Sequence, residues 1–166
     1  MAMLAESVDG VIGVDTHRDT LTAAAVTSLG GVLAQTTTGA EAAGYQRLLD
    51  FACVQVPGRR CWAVEGTGSF GAGLAEFLQQ HGEQVVEVGR PKRPASRSGA
   101  KSDALDAVRA AREALGQDHL ATPRRRGERE ALRVLLTTRR CATRARVAAT
   151  GQLKALIGRA SCRERV

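Results

Sequence analysis

Four carboxylates define the chemistry that this sequence could support. Asp15 and Glu65 each close a short apolar run with the character of a buried strand, while Asp103 and Asp106 stand three residues apart in Lys101-Ser102-Asp103-Ala104-Leu105-Asp106. A charge at the mouth of a buried strand is costly unless a cation meets it. Acids brought together from separate segments also repel one another, and a divalent cation with hard oxygen ligands relieves that repulsion. The set predicts a magnesium site, with manganese as the alternative ion.

Each acid also has a plainer explanation. Asp15 before Thr16 is a residue type that starts turns. Asp103 and Asp106, on one helical face, also suit a capping-box variant, with Asp103 as N-cap and Asp106 at the third helical position. Glu65 is harder to explain away, because Val64-Glu65 ends an apolar strand just before Gly66, and glycine lets a ligand or backbone approach closely. His17, two residues after Asp15, reads as an exposed turn histidine in preference to a group supporting the acids.

The elements that must position these residues follow from periodicity. Residues 11–17 form an apolar strand, and 20–27 and 31–38 continue as β-branched strands about Leu29-Gly30-Gly31, predicting an antiparallel meander. Helical spacing covers 39–54 and ends at Pro57-Gly58; a strand at 61–65, a helix at 69–81 and a strand at 84–88 follow. The order βββαβαβ predicts an α/β domain with a mixed sheet flanked by helices. Gly66-Thr-Gly-Ser-Phe-Gly71, with Glu87 beyond it, has the form of a dinucleotide fingerprint. That motif normally follows the first strand of a βαβ unit, whereas here a meander precedes it. These glycines are better read as freeing the loop around Glu65, next to a helix start suited to a phosphate.

The second half of the chain is different in kind. Residues 1–89 carry 4 basic and 10 acidic side chains, net −6, whereas residues 90–166 carry 20 and 7, net +13. Such a field attracts phosphate backbones, so nucleic acid is the expected partner, ahead of an acidic lipid surface. Candidate contacts are Arg90, Lys92, Arg93, Arg97 and Lys101 in and beside a proline-containing loop, and Arg124, Arg125 and Arg126 in a second breaker stretch. A helix is predicted over 102–115. A long basic helix over 128–156 carries a thin stripe of Leu132, Leu135, Leu136, Ala142, Ala145, Ala149, Leu153 and Leu156, which needs a partner and favours a homo-oligomer. With 43% hydrophobic residues the chain can build a core, so wholesale disorder is excluded. Cys53, Cys61, Cys141 and Cys162 form no CxxC pair, which argues against a zinc cluster and for a reducing compartment. No run approaches the roughly 18 apolar residues of a membrane span, and the expected location is the cytoplasm.

Three segments together resemble a known family: Gly13-Val-Asp15-Thr-His-Arg-Asp, Val64-Glu65-Gly-Thr-Gly-Ser-Phe-Gly, and Lys101-Ser-Asp103-Ala-Leu-Asp106-Ala. They are similar to the amino-terminal domain of bacterial insertion-sequence transposases of the DEDD type. The resemblance implies a ribonuclease-H-like fold similar to the RuvC junction resolvase, with Asp15, Glu65, Asp103 and Asp106 as a magnesium-binding tetrad for DNA cleavage. It further implies DNA and a structured bridge RNA as partners, and a serine in a separate carboxy-terminal domain that acts in recombination. The expected division is a DEDD domain over 8–116, a basic linker over 117–127, the start of a coiled coil over 128–156, and a tail over 157–166. That tail breaks the stripe and looks like a translated sequencing adapter. It is expected to be non-native, leaving a truncated transposase inactive alone. A stand-alone junction-resolving nuclease and a non-catalytic nucleic-acid-binding module are the alternatives.

Overall fold

The computed structural model describes residues 3–89, 102–123 and 127–163. The chain forms two compact units, Met1–Arg124 and Arg125–Val166. In the first unit, β1 (Gly10–Thr16), β2 (Thr20–Thr27) and β3 (Val32–Gly39) form the predicted meander. Helix α2 (Ala42–Gln55), β4 (Arg60–Glu65), α3 (Ala72–Gln80), β5 (Gln84–Val88) and α4 (Asp103–Leu115) follow. The sheet order is β3-β2-β1-β4-β5. Strands β1, β2 and β3 pair antiparallel, whereas β4 and β5 run parallel to β1. This mixed five-stranded sheet is a ribonuclease-H-like α/β fold. A short helix that the sequence pattern does not announce, α1 (Leu4–Ser7), opens the unit and buries Leu4.

Alternation along the central strands divides the core into two layers. Ile12, Val14, Leu21, Trp62 and Val64 face Leu48 and Ala52 of α2 and Leu74 and Leu78 of α3. Val11, Val26, Cys61, Ala63 and Val86 face Ala110, Ala111 and Ala114 of α4. Ala24 packs with Ala107 and Val108 of the same helix. Small residues on both partners let α4 approach the sheet closely, and Gly13 carries this to its limit. A Cβ at Gly13 would overlap the Ala107 carbonyl oxygen and stand 2.6 Å from the Ala111 amide nitrogen.

Strand β4 is held at its other edge by a polar link. Glu83 accepts hydrogen bonds from Trp62 Nε1 at 2.8 Å and from Arg60 Nε at 2.9 Å. Burial pushes the neighbouring Cys61 thiol up to about 12, so it stays protonated within the core. Beyond β5, the Glu87 amide donates to the Ala121 carbonyl, which fastens the segment after α4 to the sheet edge.

The second unit is one helix, α5 (Glu128–Arg163). It continues past Leu156, where the stripe was expected to break. Gly158 costs a helix only about 1 kcal/mol relative to alanine, and no proline interrupts the segment, so the surrounding arginines and alanines carry the helix on. Leu132, Leu135, Leu136, Leu153 and Leu156 are all exposed. Among the described residues no helix is long and apolar enough to cross a membrane.

The contact at Gly13 gives a direct test of this packing. Gly13→Ala must push α4 outward, at the cost of about 3 kcal/mol typical of severe overpacking. Urea unfolding followed by Trp62 fluorescence should show that loss, and an unchanged midpoint would mean that α4 does not lie on β1 as described.

Candidate metal centre

The packing of α4 on Gly13 determines which side chains meet. Asp15 lies two residues beyond Gly13 on the same face of β1, and Asp103 lies one helical turn before Ala107. Helix and strand therefore deliver two carboxylates to one end of the sheet. Asp15 is buried, with 8% of its surface exposed. His17 follows the end of β1, in the tight connection where its amide donates to the Thr20 carbonyl at 2.9 Å. Its Nε2 stands 3.2 Å from Asp15 Oδ2 and 3.4 Å from Asp103 Oδ1. One ligand atom from each of Asp15, His17 and Asp103 falls within 4.8 Å of the others, a grouping able to hold a cation.

The other two predicted acids stand close by but outside that grouping. Glu65 ends β4, the parallel neighbour of β1, where the register pairs Val14 with Val64. The strand ends are tied together by the Thr16 hydroxyl, which donates to the Glu65 carbonyl at 3.0 Å. Alternation with Cys61 and Ala63 puts Glu65 on the α4 face of the sheet, the face that bears Asp15. Gly66, which follows, has φ +63°, a left-handed conformation that glycine adopts without steric cost. The glycines of 66–71 thus turn the chain from β4 into α3, after the fourth strand of the domain. Asp106 accepts a hydrogen bond from Arg109 Nη1 at 2.8 Å.

The capping alternative for Asp103 is not realised. Ser102 is the N-cap, in extended conformation and without a side-chain capping bond, and Asp103 is the first helical residue. The Ser102 carbonyl accepts from the Leu105 and Asp106 amides. This one-residue displacement leaves the Asp103 carboxylate directed at His17. Arg90, Lys92, Arg93, Arg97, Lys101, Arg124, Arg125 and Arg126, the predicted phosphate contacts, lie outside the described residues.

Over residues 12–160 the chain matches the family model DEDD_Tnp_IS110, described as a transposase. The chain belongs to this DEDD transposase family. No curated protein matches it. The matched range takes in both β1 and α4, the elements that carry Asp15 and Asp103.

In this transposase domain His17 is the exposed turn histidine that the sequence predicts, and its Nε2 also reaches Asp15 and Asp103, a contact the sequence did not predict. The available signal for that contact was its position two residues after Asp15.

Electrostatics disfavour the ionised form of Asp15 where it stands. Burial raises the pKa of Asp15 above 3.8; His17 pulls it down, and Asp103 and Asp106 push it up again, with a net upward shift. The folded transposase domain thus binds this proton more tightly than the unfolded chain does. The stability from that proton is complete below pH 3.8 and is lost as the pH rises through the elevated folded value. At neutral pH the ionised Asp15 therefore works against folding. Asp15→Asn should raise the melting temperature of the metal-free protein at pH 7, with the gain fading as the pH is lowered toward 3.8. Thermal unfolding in chelator across that range measures it, and a variant less stable than the parent at pH 7 would contradict the electrostatic reading.

Proposed function

We propose that this chain supplies the metal-dependent DNA-cleaving domain of an insertion-sequence transposase, with Asp15, Glu65, Asp103 and Asp106 holding magnesium. The observation that carries the proposal is the convergence of Asp15 and Asp103 with His17 within 4.8 Å at the end of the central strand. The donor set suits a divalent cation. Hard carboxylate oxygens predominate, and burial, together with the like charges of Asp103 and Asp106, disfavours the ionised Asp15, a condition that a cation relieves. When bound, such ions would activate an oxygen nucleophile and stabilise the departing oxygen of a phosphodiester. The chain's own part is positional: β1 fixes Asp15 at the strand end, α4 brings Asp103 and Asp106 in its first turn, and β4 contributes Glu65 from the adjacent strand.

DNA is the substrate on this reading. The basic residues of the second half would grip its backbone, and a bridge RNA would direct the complete transposase to its sites. The exposed leucines of α5 would pair with a second copy of the helix, so light scattering should report a dimer or larger species that Leu135→Glu with Leu153→Glu reduces to monomer.

One observation favours a narrower reading for one acid. Because Asp106 engages Arg109, its carboxylate has a structural use independent of any metal. A magnesium titration followed by calorimetry separates the two. Asp15→Ala and Asp106→Ala should each abolish magnesium binding if the tetrad works as a unit. Retained binding in Asp106→Ala would reduce the site to the remaining acids, and binding unaffected by Asp15→Ala would overturn the proposal.

A further inference from the structure

We propose that His17 is itself a metal ligand, through Nε2, and that it biases the site toward manganese over magnesium. The inference rests on the carboxylate metal site proposed above and adds to it a nitrogen donor outside the four acids. Its basis is the placement of Nε2, 3.2 Å from Asp15 Oδ2 and 3.4 Å from Asp103 Oδ1.

Nε2 can donate one proton, and its 3.2 Å approach to Asp15 serves as a hydrogen bond in the absence of metal, while the 3.4 Å approach to Asp103 is longer than the about 2.7–2.9 Å of a charge-assisted bond. Both distances make good edges of a coordination polyhedron. Two neighbouring ligands of an octahedral ion with bonds of about 2.1 Å lie about 3.0 Å apart, and opposite ligands about 4.2 Å. The three donor atoms all lie within 4.8 Å of one another, so one ion can bind them after small adjustments. His17 and Asp103 are free to make those adjustments, since their side chains are 53% and 55% exposed, while Asp15 at 11% is held as the fixed point.

The histidine changes what the site selects. Magnesium keeps waters and oxygen ligands and gains little from imidazole. Manganese accepts carboxylates equally well and bonds imidazole more strongly, so an N,O,O set favours it. The local structure suits such a ligand: His17 directly follows β1, and the tight turn to Thr20 fixes its backbone through the amide bond to the Thr20 carbonyl.

The test uses the whole chain, free of any histidine tag, titrated with manganese or magnesium and monitored by calorimetry and by pulsed electron paramagnetic resonance of the manganese. The parent should show nitrogen coupling from one imidazole. His17→Ala should remove that coupling and weaken manganese binding at least about tenfold, the scale of losing a group that supports a metal site, while magnesium binding changes less. His17→Asp should restore oxygen coordination without nitrogen coupling and narrow the preference for manganese. Manganese bound by the parent without nitrogen coupling, with His17→Ala unchanged in affinity, would overturn the ligand role and leave the carboxylate site standing. Failure of the parent to bind either ion would overturn both.

Discussion

Helix α4 lies so close to β1 that no side chain fits at Gly13, where a Cβ would run into the Ala107 carbonyl and the Ala111 amide. The rest of the arrangement depends on this contact. Alanines at 107, 110, 111 and 114 give the helix a smooth face, and Ala24 of β2 helps receive it. Close approach makes the dispersion contacts dense and limits sliding of the helix along the strand. Asp103, a turn before Ala107, is thereby committed to the end of β1 where Asp15 emerges. A bulkier interface would hold the same elements together with a less exact alignment of the acids.

That alignment has an electrostatic cost. Asp15 is the most buried of the four acids, and it feels both Asp103 and Asp106 as like charges. His17 offsets part of that repulsion, and Arg109 draws on Asp106 from the outer side. The remainder is a local conflict between folding and charge, of the kind that polar sites embedded in a hydrophobic framework carry when they serve chemistry. Ordinary packing surrounds it: Trp62 and Glu83 secure the far side of β4, and the Thr16 hydroxyl fastens the β1 end to the β4 end.

Much of this was legible in the sequence because its signals are local. The strand before Asp15, the strand before Glu65 and the breaks at Pro57-Gly58 and Gly66–Gly71 follow from apolar runs and punctuation, and the observed elements fall close to them. Asp15 and Glu65 could be chosen by the cost of a charge ending a buried strand, whereas Asp103 and Asp106, read alone, looked like a helix cap. The distribution between them was not legible. Whether Asp103 caps the helix or begins it depends on a single residue of backbone conformation at Ser102, and whether His17 looks outward or toward Asp15 depends on a turn that tolerates either. Helix α1 is too short to carry periodicity, and the run of α5 past Gly158 shows that one glycine without proline is a weak terminator.

The central claim is that the end of β1 and the first turn of α4 together form a divalent metal site. Crystals of the chain soaked in manganese, with anomalous diffraction measured at the manganese edge, test it most directly. A strong anomalous peak bonded to Asp15 and Asp103 is the expected result. Manganese peaks elsewhere on the protein with none between these two carboxylates would contradict it.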